Sequence, residues 1–85
     1  MRKVAWTDSA WSEYLWWDRN DKRTRDRINI LVESVATDPF RGIGKPEALR
    51  QNLRGYWSRR ITAEHRLVYR VEADKVIVVQ CRFHY

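Results

Sequence analysis

The chain has 85 residues, 44% of them hydrophobic and 33% charged, with a formal net charge of +6. This length suits one domain over residues 1–85 and is too short for two, and the composition excludes a disordered chain. One cysteine, Cys81, leaves no internal disulfide, no apolar run approaches the ~20 residues that span a bilayer, and no zinc spacing, P-loop or dinucleotide glycine pattern occurs. The expectation is a cytoplasmic domain away from any membrane, working with no metal and no cofactor. Five tryptophans and four tyrosines supply much of its core, since each large aromatic removes about 150–250 Å² from water.

Taken in order, Val4 and Trp6 alternate with Lys3 and Ala5, so Lys3 to Trp6 reads as a short strand. Thr7 offers a helix N-cap and Asp8 suits a first turn. Ala10, Trp11, Tyr14, Leu15 and Trp17 then recur at helical steps, as a core stripe rather than a base-stacking platform. Asn20-Asp21 breaks that helix and can cap a second. In the second, Ile28, Leu31, Val32, Val35 and Ala36 form the packing face, and Arg23, Arg27 and Glu33 the solvated one. Asp38-Pro39 ends it.

Phe40 to Asn52 is a loop in which Gly42 and Gly44 permit close backbone approach, and Lys45-Pro46-Glu47 opens a short helical turn through Ala48 and Leu49. From Tyr56 the period becomes two. Trp57, Arg59 and Ile61 share one face, and Tyr56, Ser58 and Arg60 the other. A tight link at Ala63-Glu64 leads to a strand around Leu67, Tyr69 and Val71, and Ala73-Asp74 leads to a last strand from Val76 to Phe83. Strands joined by short links pair antiparallel. The expected architecture is β-α-α-β-β-β, an α+β domain with both helices on one face of an antiparallel sheet.

The charge is not spread evenly. Eight basic and two acidic residues lie between Arg41 and Arg70, against seven of each sign in residues 1–40 and two of each in residues 71–85. The whole excess sits in one block, which points to a polyanionic partner. Cleaving RNA without a metal needs a base for the 2′-hydroxyl, an acid for the departing 5′-oxygen and cations for the phosphoryl charge. The block offers Glu47 as base, His84 as acid, and arginines whose planar forks match phosphate. Arg60, Arg66 and Arg82 are placed on strands, Arg66 and Arg82 on the polar faces of neighbouring ones, with His84 on the side of Arg82. Tyr56, Trp57 and Tyr85 are available for stacking on bases, and His65, beside a tight turn, is a second imidazole candidate. The plainer alternatives are that Glu47 pairs with Lys45 or Arg50 at the surface and that the arginines bind nucleic acid without cutting it. By composition and spacing alone, a basic RNA- or DNA-binding domain is the better fit.

Four stretches carry a more specific signal: W-x-x-Y-L-x-W from Trp11 to Trp17, D-P-F-x-G-x-G-K-P-E-x-L from Asp38 to Leu49, G-Y-W-S-R-R-I-T-x-E-H-R-L-V-Y from Gly55 to Tyr69, and the final C-R-F-H-Y. With these, the chain resembles over essentially its full length the YoeB toxins of bacterial toxin–antitoxin pairs, a branch of the RelE superfamily. The resemblance implies a ribosome-dependent endoribonuclease that cuts mRNA in the ribosomal A site without a metal and leaves a 2′,3′-cyclic phosphate. It implies Glu47 as general base, Arg66 as the arginine of the transition state, His84 as general acid and Tyr85 as its helper. Arg60, Arg50, Arg59, Lys45 and Arg82 would serve as phosphate contacts. Arg50 stands where the family often has lysine, and Ala48 where a proline is common. The implied partners are a YefM-type antitoxin, operator DNA bound through the antitoxin complex, and a second copy of the chain. A ParE-like gyrase poison and a non-enzymatic repressor are the alternatives.

Overall fold

The computed structural model of the chain describes residues 1–83. Its elements are β1 (Lys3–Trp6), α1 (Asp8–Asn20), α2 (Lys22–Thr37), β2 (Glu47–Ala48), a single 3-10 turn (Gln51–Leu53), β3 (Tyr56–Arg60), β4 (Arg66–Val71) and β5 (Lys75–Gln80). Both helices begin where side chains can take up free backbone amides. Thr7 Oγ1 accepts from the Ala10 amide at 3.2 Å. Asp21 Oδ1 accepts from the Thr24 amide at 3.1 Å. The second helix stops at Asp38, ahead of Pro39, as the proline requires.

The five strands form one sheet in the order β1-β5-β4-β3-β2. The β2–β3, β3–β4 and β4–β5 pairs are antiparallel. β1 pairs parallel with β5, from Lys3 opposite Lys75 to Trp6 opposite Val78, so the sheet is mixed. The connection between these parallel neighbours runs through both helices and the other three strands. Glu47-Ala48 is a strand rather than the start of a helical turn; the turn comes later, at Gln51–Leu53.

One core lies between the helices and the sheet. Ala10 and Trp17 from α1 and Ile28, Leu31 and Val35 from α2 meet Ile61, Leu67, Tyr69, Val76, Val78 and Cys81. The α2 stripe is the expected one. On α1 the inward line is buried Ala10 and Trp17 with half-buried Tyr14 between them, while Trp11 remains 45% exposed and Leu15 is exposed as well. Trp11 instead stacks on Tyr14 at 5.0 Å and meets the Trp6 ring edge-on at 5.4 Å.

The last strand ends sooner than its alternation predicts. A bulge opposite Val68 and Tyr69 inserts one extra residue in β5: Tyr69 faces Val78, but Val68 faces Gln80. Such an insertion exchanges the faces of the residues beyond it. Val76 and Val78 point into the core, and Gln80 is turned to the opposite face. The chain then leaves the sheet.

Candidate functional site

The helices cover one face of the sheet, and the cross-strand register shows what the other face carries. Glu47 stands opposite Ser58, and Ser58 opposite Val68. One step towards the β3–β4 turn, Arg60 stands directly opposite Arg66. One step the other way, Tyr56 stands opposite Arg70, whose guanidinium lies 5.6 Å from the Tyr56 ring centre. Ser58 and Val68, small residues in the middle of this face, are buried. The result is an acid on the edge strand and an arginine pair one row away.

The electrostatics of this face are unusual for a surface. Among the described residues, Glu47 forms no ion pair, and neither do Arg60 and Arg66. Two like charges directly opposite each other across an antiparallel pair destabilise it unless an anion lies between them. Arg66 Nη1 donates to the carbonyls of Thr62 at 2.8 Å, His65 at 3.1 Å and Ala63 at 3.3 Å. Those carbonyls orient the side chain, and its Nε and Nη2 make no hydrogen bond to the described residues. Lys45 and Arg50, both exposed, flank Glu47 along the chain. Among the described residues, no three His, Cys, Asp or Glu side chains gather as metal ligands would.

Two of the expected phosphate contacts are elsewhere. Arg59 is completely buried and points between sheet and helices. Its Nε donates to Tyr69 Oη at 3.1 Å, Nη1 to Ser34 Oγ at 2.7 Å and the Ile43 carbonyl at 3.1 Å, and Nη2 to the carbonyls of Asp38 at 2.6 Å and Arg41 at 2.9 Å. All five N–H groups are used inside the protein, so none is left for a phosphate. The period-two pattern already contained this, since Arg59 alternates in phase with Trp57 and Ile61. Gly42 and Gly44 let the loop close around it: a Cβ on Gly42 would fall 2.9 Å from Arg59 Nη1, and one on Gly44 would fall 3.2 Å from Arg59 Cβ. Arg59 therefore ties down the loop that ends two residues before the strand of Glu47.

Arg82 is the second correction. β5 ends at Gln80, and the Arg82 guanidinium lies 3.6 Å from the ring centre of Trp16 on α1 instead of projecting from the sheet. A cation on a tryptophan face is a favourable contact in its own right. His84 and Tyr85 lie outside the described residues. The chain is described up to Phe83, whose carbonyl accepts from the Arg66 amide at 3.0 Å. His65 is turned inward, its ring edge-on to Trp17 at 4.8 Å, and its Nδ1 accepts from the Phe83 amide at 2.7 Å. That contact joins residues 18 positions apart and has no sequence signature.

A model of the YoeB-like toxins of bacterial type II toxin–antitoxin systems matches residues 6–85. The chain belongs to that family. It is 54% identical to the toxin YoeB of Synechocystis sp. over 83 residues, which cover 98% of this chain and 96% of that one. Among solved structures, the YoeB/ParE toxin of Agrobacterium tumefaciens superimposes with a TM-score of 0.95 at 52% identity, covering 98% and 99% of the two chains. The YoeB of Staphylococcus aureus has been solved as a dimer, at 40% identity, coverage of 99% and 98%, and a TM-score of 0.91. It has also been solved in a YoeB–YefM complex, at 38% identity, coverage of 100% and 99%, and a TM-score of 0.90. YoeB-like chains thus share this sheet and its two helices from end to end.

Proposed function

We propose that the chain is a ribosome-dependent mRNA endoribonuclease working on the open face of its sheet. The observation that carries the reading is the facing pair Arg60 and Arg66, with Glu47 one row away, none of the three in an ion pair among the described residues. A phosphodiester supplies the missing anion. Glu47 takes the proton of the 2′-hydroxyl as its oxygen attacks the adjacent phosphorus. Arg66, with Arg60 beside it, neutralises the charge that builds on the non-bridging oxygens. The P–O5′ bond breaks as His84 protonates the leaving oxygen, with Tyr85 assisting. The products are a 2′,3′-cyclic phosphate and a 5′-hydroxyl. Lys45 and Arg50 guide the strand towards the site, and the ribosomal A site presents it.

The same basic face suits an acidic segment of a YefM-type antitoxin, which would exclude RNA by occupying it. In this reading the toxin–antitoxin complex represses its own operator, and two copies of the chain associate as the S. aureus relative does.

The test is to add the purified chain to ribosomes stalled on a defined message and identify the new ends. A cyclic phosphate within the A-site codon, absent when the message is free of ribosomes, is the expected result. An intact message together with loss of supercoiling by purified gyrase would transfer the reading to the ParE-like alternative.

A further inference from the structure

Before the chain passes out of the described residues, it is fastened at every step. The Cys81 amide donates to Glu13 Oε1 at 2.8 Å, and its carbonyl accepts from Trp17 Nε1 at 2.9 Å. Arg82 lies against Trp16. The Phe83 carbonyl accepts from the Arg66 amide at 3.0 Å and from Gln80 Nε2 at 3.1 Å. The Phe83 amide donates to His65 Nδ1 at 2.7 Å. Consecutive residues at the start of β4 thus hold both polar groups of Phe83.

Phe83 has a φ of +65°. A bulky side chain enters the left-handed region only where surrounding bonds hold it there. His84 is the next residue in the chain. The ring that holds the amide is itself supported. Trp17 meets it edge-on. The His65 amide donates to Thr62 Oγ1 at 3.2 Å, and its carbonyl accepts from the Ile61 amide at 3.0 Å. An imidazole can accept at Nδ1 only with its proton on Nε2.

We propose that His65 is a positioning residue for the general acid: by accepting the Phe83 amide it holds the left-handed turn at Phe83, the residue immediately before His84 in the chain. The inference rests on the nuclease reading given above. His65 itself touches no substrate.

The test compares three folded chains, checked by circular dichroism: wild type, His65→Leu, which keeps bulk without an acceptor, and His65→Asn, whose Oδ1 falls close to the place of Nδ1. If His65→Leu does not fold, His65→Gln, whose acceptor lies farther from the backbone, replaces it. Two quantities are read: hydrogen exchange of the Phe83 amide in the free protein, and kcat with KM on programmed ribosomes. Loss of the acceptor should speed Phe83 exchange roughly tenfold or more. It should lower kcat by roughly 10- to 100-fold with little change in KM, as displaced catalytic groups do. His65→Asn should restore both. Unchanged exchange in His65→Leu, faster exchange with unchanged kcat, or equal damage in the Leu and Asn variants would each overturn the proposal. If the wild type cuts no message, the nuclease reading fails on its own, and the exchange rates alone decide whether His65 anchors Phe83.

Discussion

The Tyr69 hydroxyl accepts from Arg59 Nε at 3.1 Å and donates to the Pro39 carbonyl at 2.6 Å, both bonds in the buried core. Through it, β4 and β3 jointly hold the loop that leads to Glu47. The arginine brings a full charge into the interior and forms no ion pair among the described residues. Four neutral acceptors besides the hydroxyl take its remaining N–H groups.

Removing such a group strands its partners. Arg59→Met should cost about 3 kcal/mol or more, because three partly buried carbonyls and two hydroxyls lose their donor. For a chain of this size that corresponds to a drop of roughly 12 °C or more in Tm. Tyr69→Phe should cost about 1–2 kcal/mol. The two changes should be strongly non-additive in a double-mutant cycle, since they share one bond. Thermal melts of the four chains check this.

Two glycines separate steric from conformational cost. Gly44 has a φ of +81°, and a Cβ there would fall 2.7 Å from Leu31 Cδ2 and 3.2 Å from the Arg60 carbonyl. Gly55 has a φ of +86° and nothing within 4 Å of a Cβ. Gly55→Ala should cost about 1 kcal/mol, the price of a left-handed alanine. Gly44→Ala should cost roughly 1–3 kcal/mol more, from overpacking. Urea midpoints measured side by side give the difference.

The pH dependence of stability has two limbs. Burial pushes the Cys81 thiol up to about 12 from an ordinary 9.0, with the Glu13 carboxylate adding to the effect. Burial also raises the Tyr69 phenol from 10.0, against the opposing bond from Arg59. Both groups hold their protons longer in the folded state. Their contribution is complete below the unfolded value and is lost as pH rises towards the folded one. Stability should therefore fall above about pH 9, and Cys81→Ala should flatten that limb. On the acid side, the Arg25 bond lowers Asp18 and the Thr24 bonds lower Asp21, each from 3.8. Their contribution is present above 3.8 and is lost as pH falls through the lower folded values. Melts across pH trace both limbs. The native thiol should also resist alkylation until the chain unfolds.

Much of this fold was legible in the sequence. Thr7 and Asp21 as caps, the α2 stripe through Ile28, Leu31 and Val35, and the antiparallel pairing of β3, β4 and β5 follow from local chemistry and periodicity. The parallel pairing of β1 with β5 was not legible, because it joins residues some 70 positions apart and no local pattern encodes it. The β5 bulge hid in an apolar run whose alternation looks unbroken, and with it went the placement of Gln80 and Arg82. At the site, Glu47, Arg60 and Arg66 were readable as part of a basic block holding only two acids. Arg59 was misassigned because charge was weighed above phase: a cation aligned with Trp57 and Ile61 is a buried cation. The His65–Phe83 bond depends on tertiary approach alone.

The proposed chemistry assigns cleavage of the message to Glu47 and Arg66 on the open sheet face. It is tested most directly by single-turnover cleavage on programmed ribosomes, read by primer extension, with wild type beside Glu47→Gln and Arg66→Lys. Both replacements nearly preserve size and should leave Tm almost unchanged. The expected result is cuts within the A-site codon for the wild type and a rate reduced about 10²-fold or more for each variant, typical of losing a general base or a bidentate charge contact. Wild-type rates in both variants would contradict it and move the chemistry away from this face.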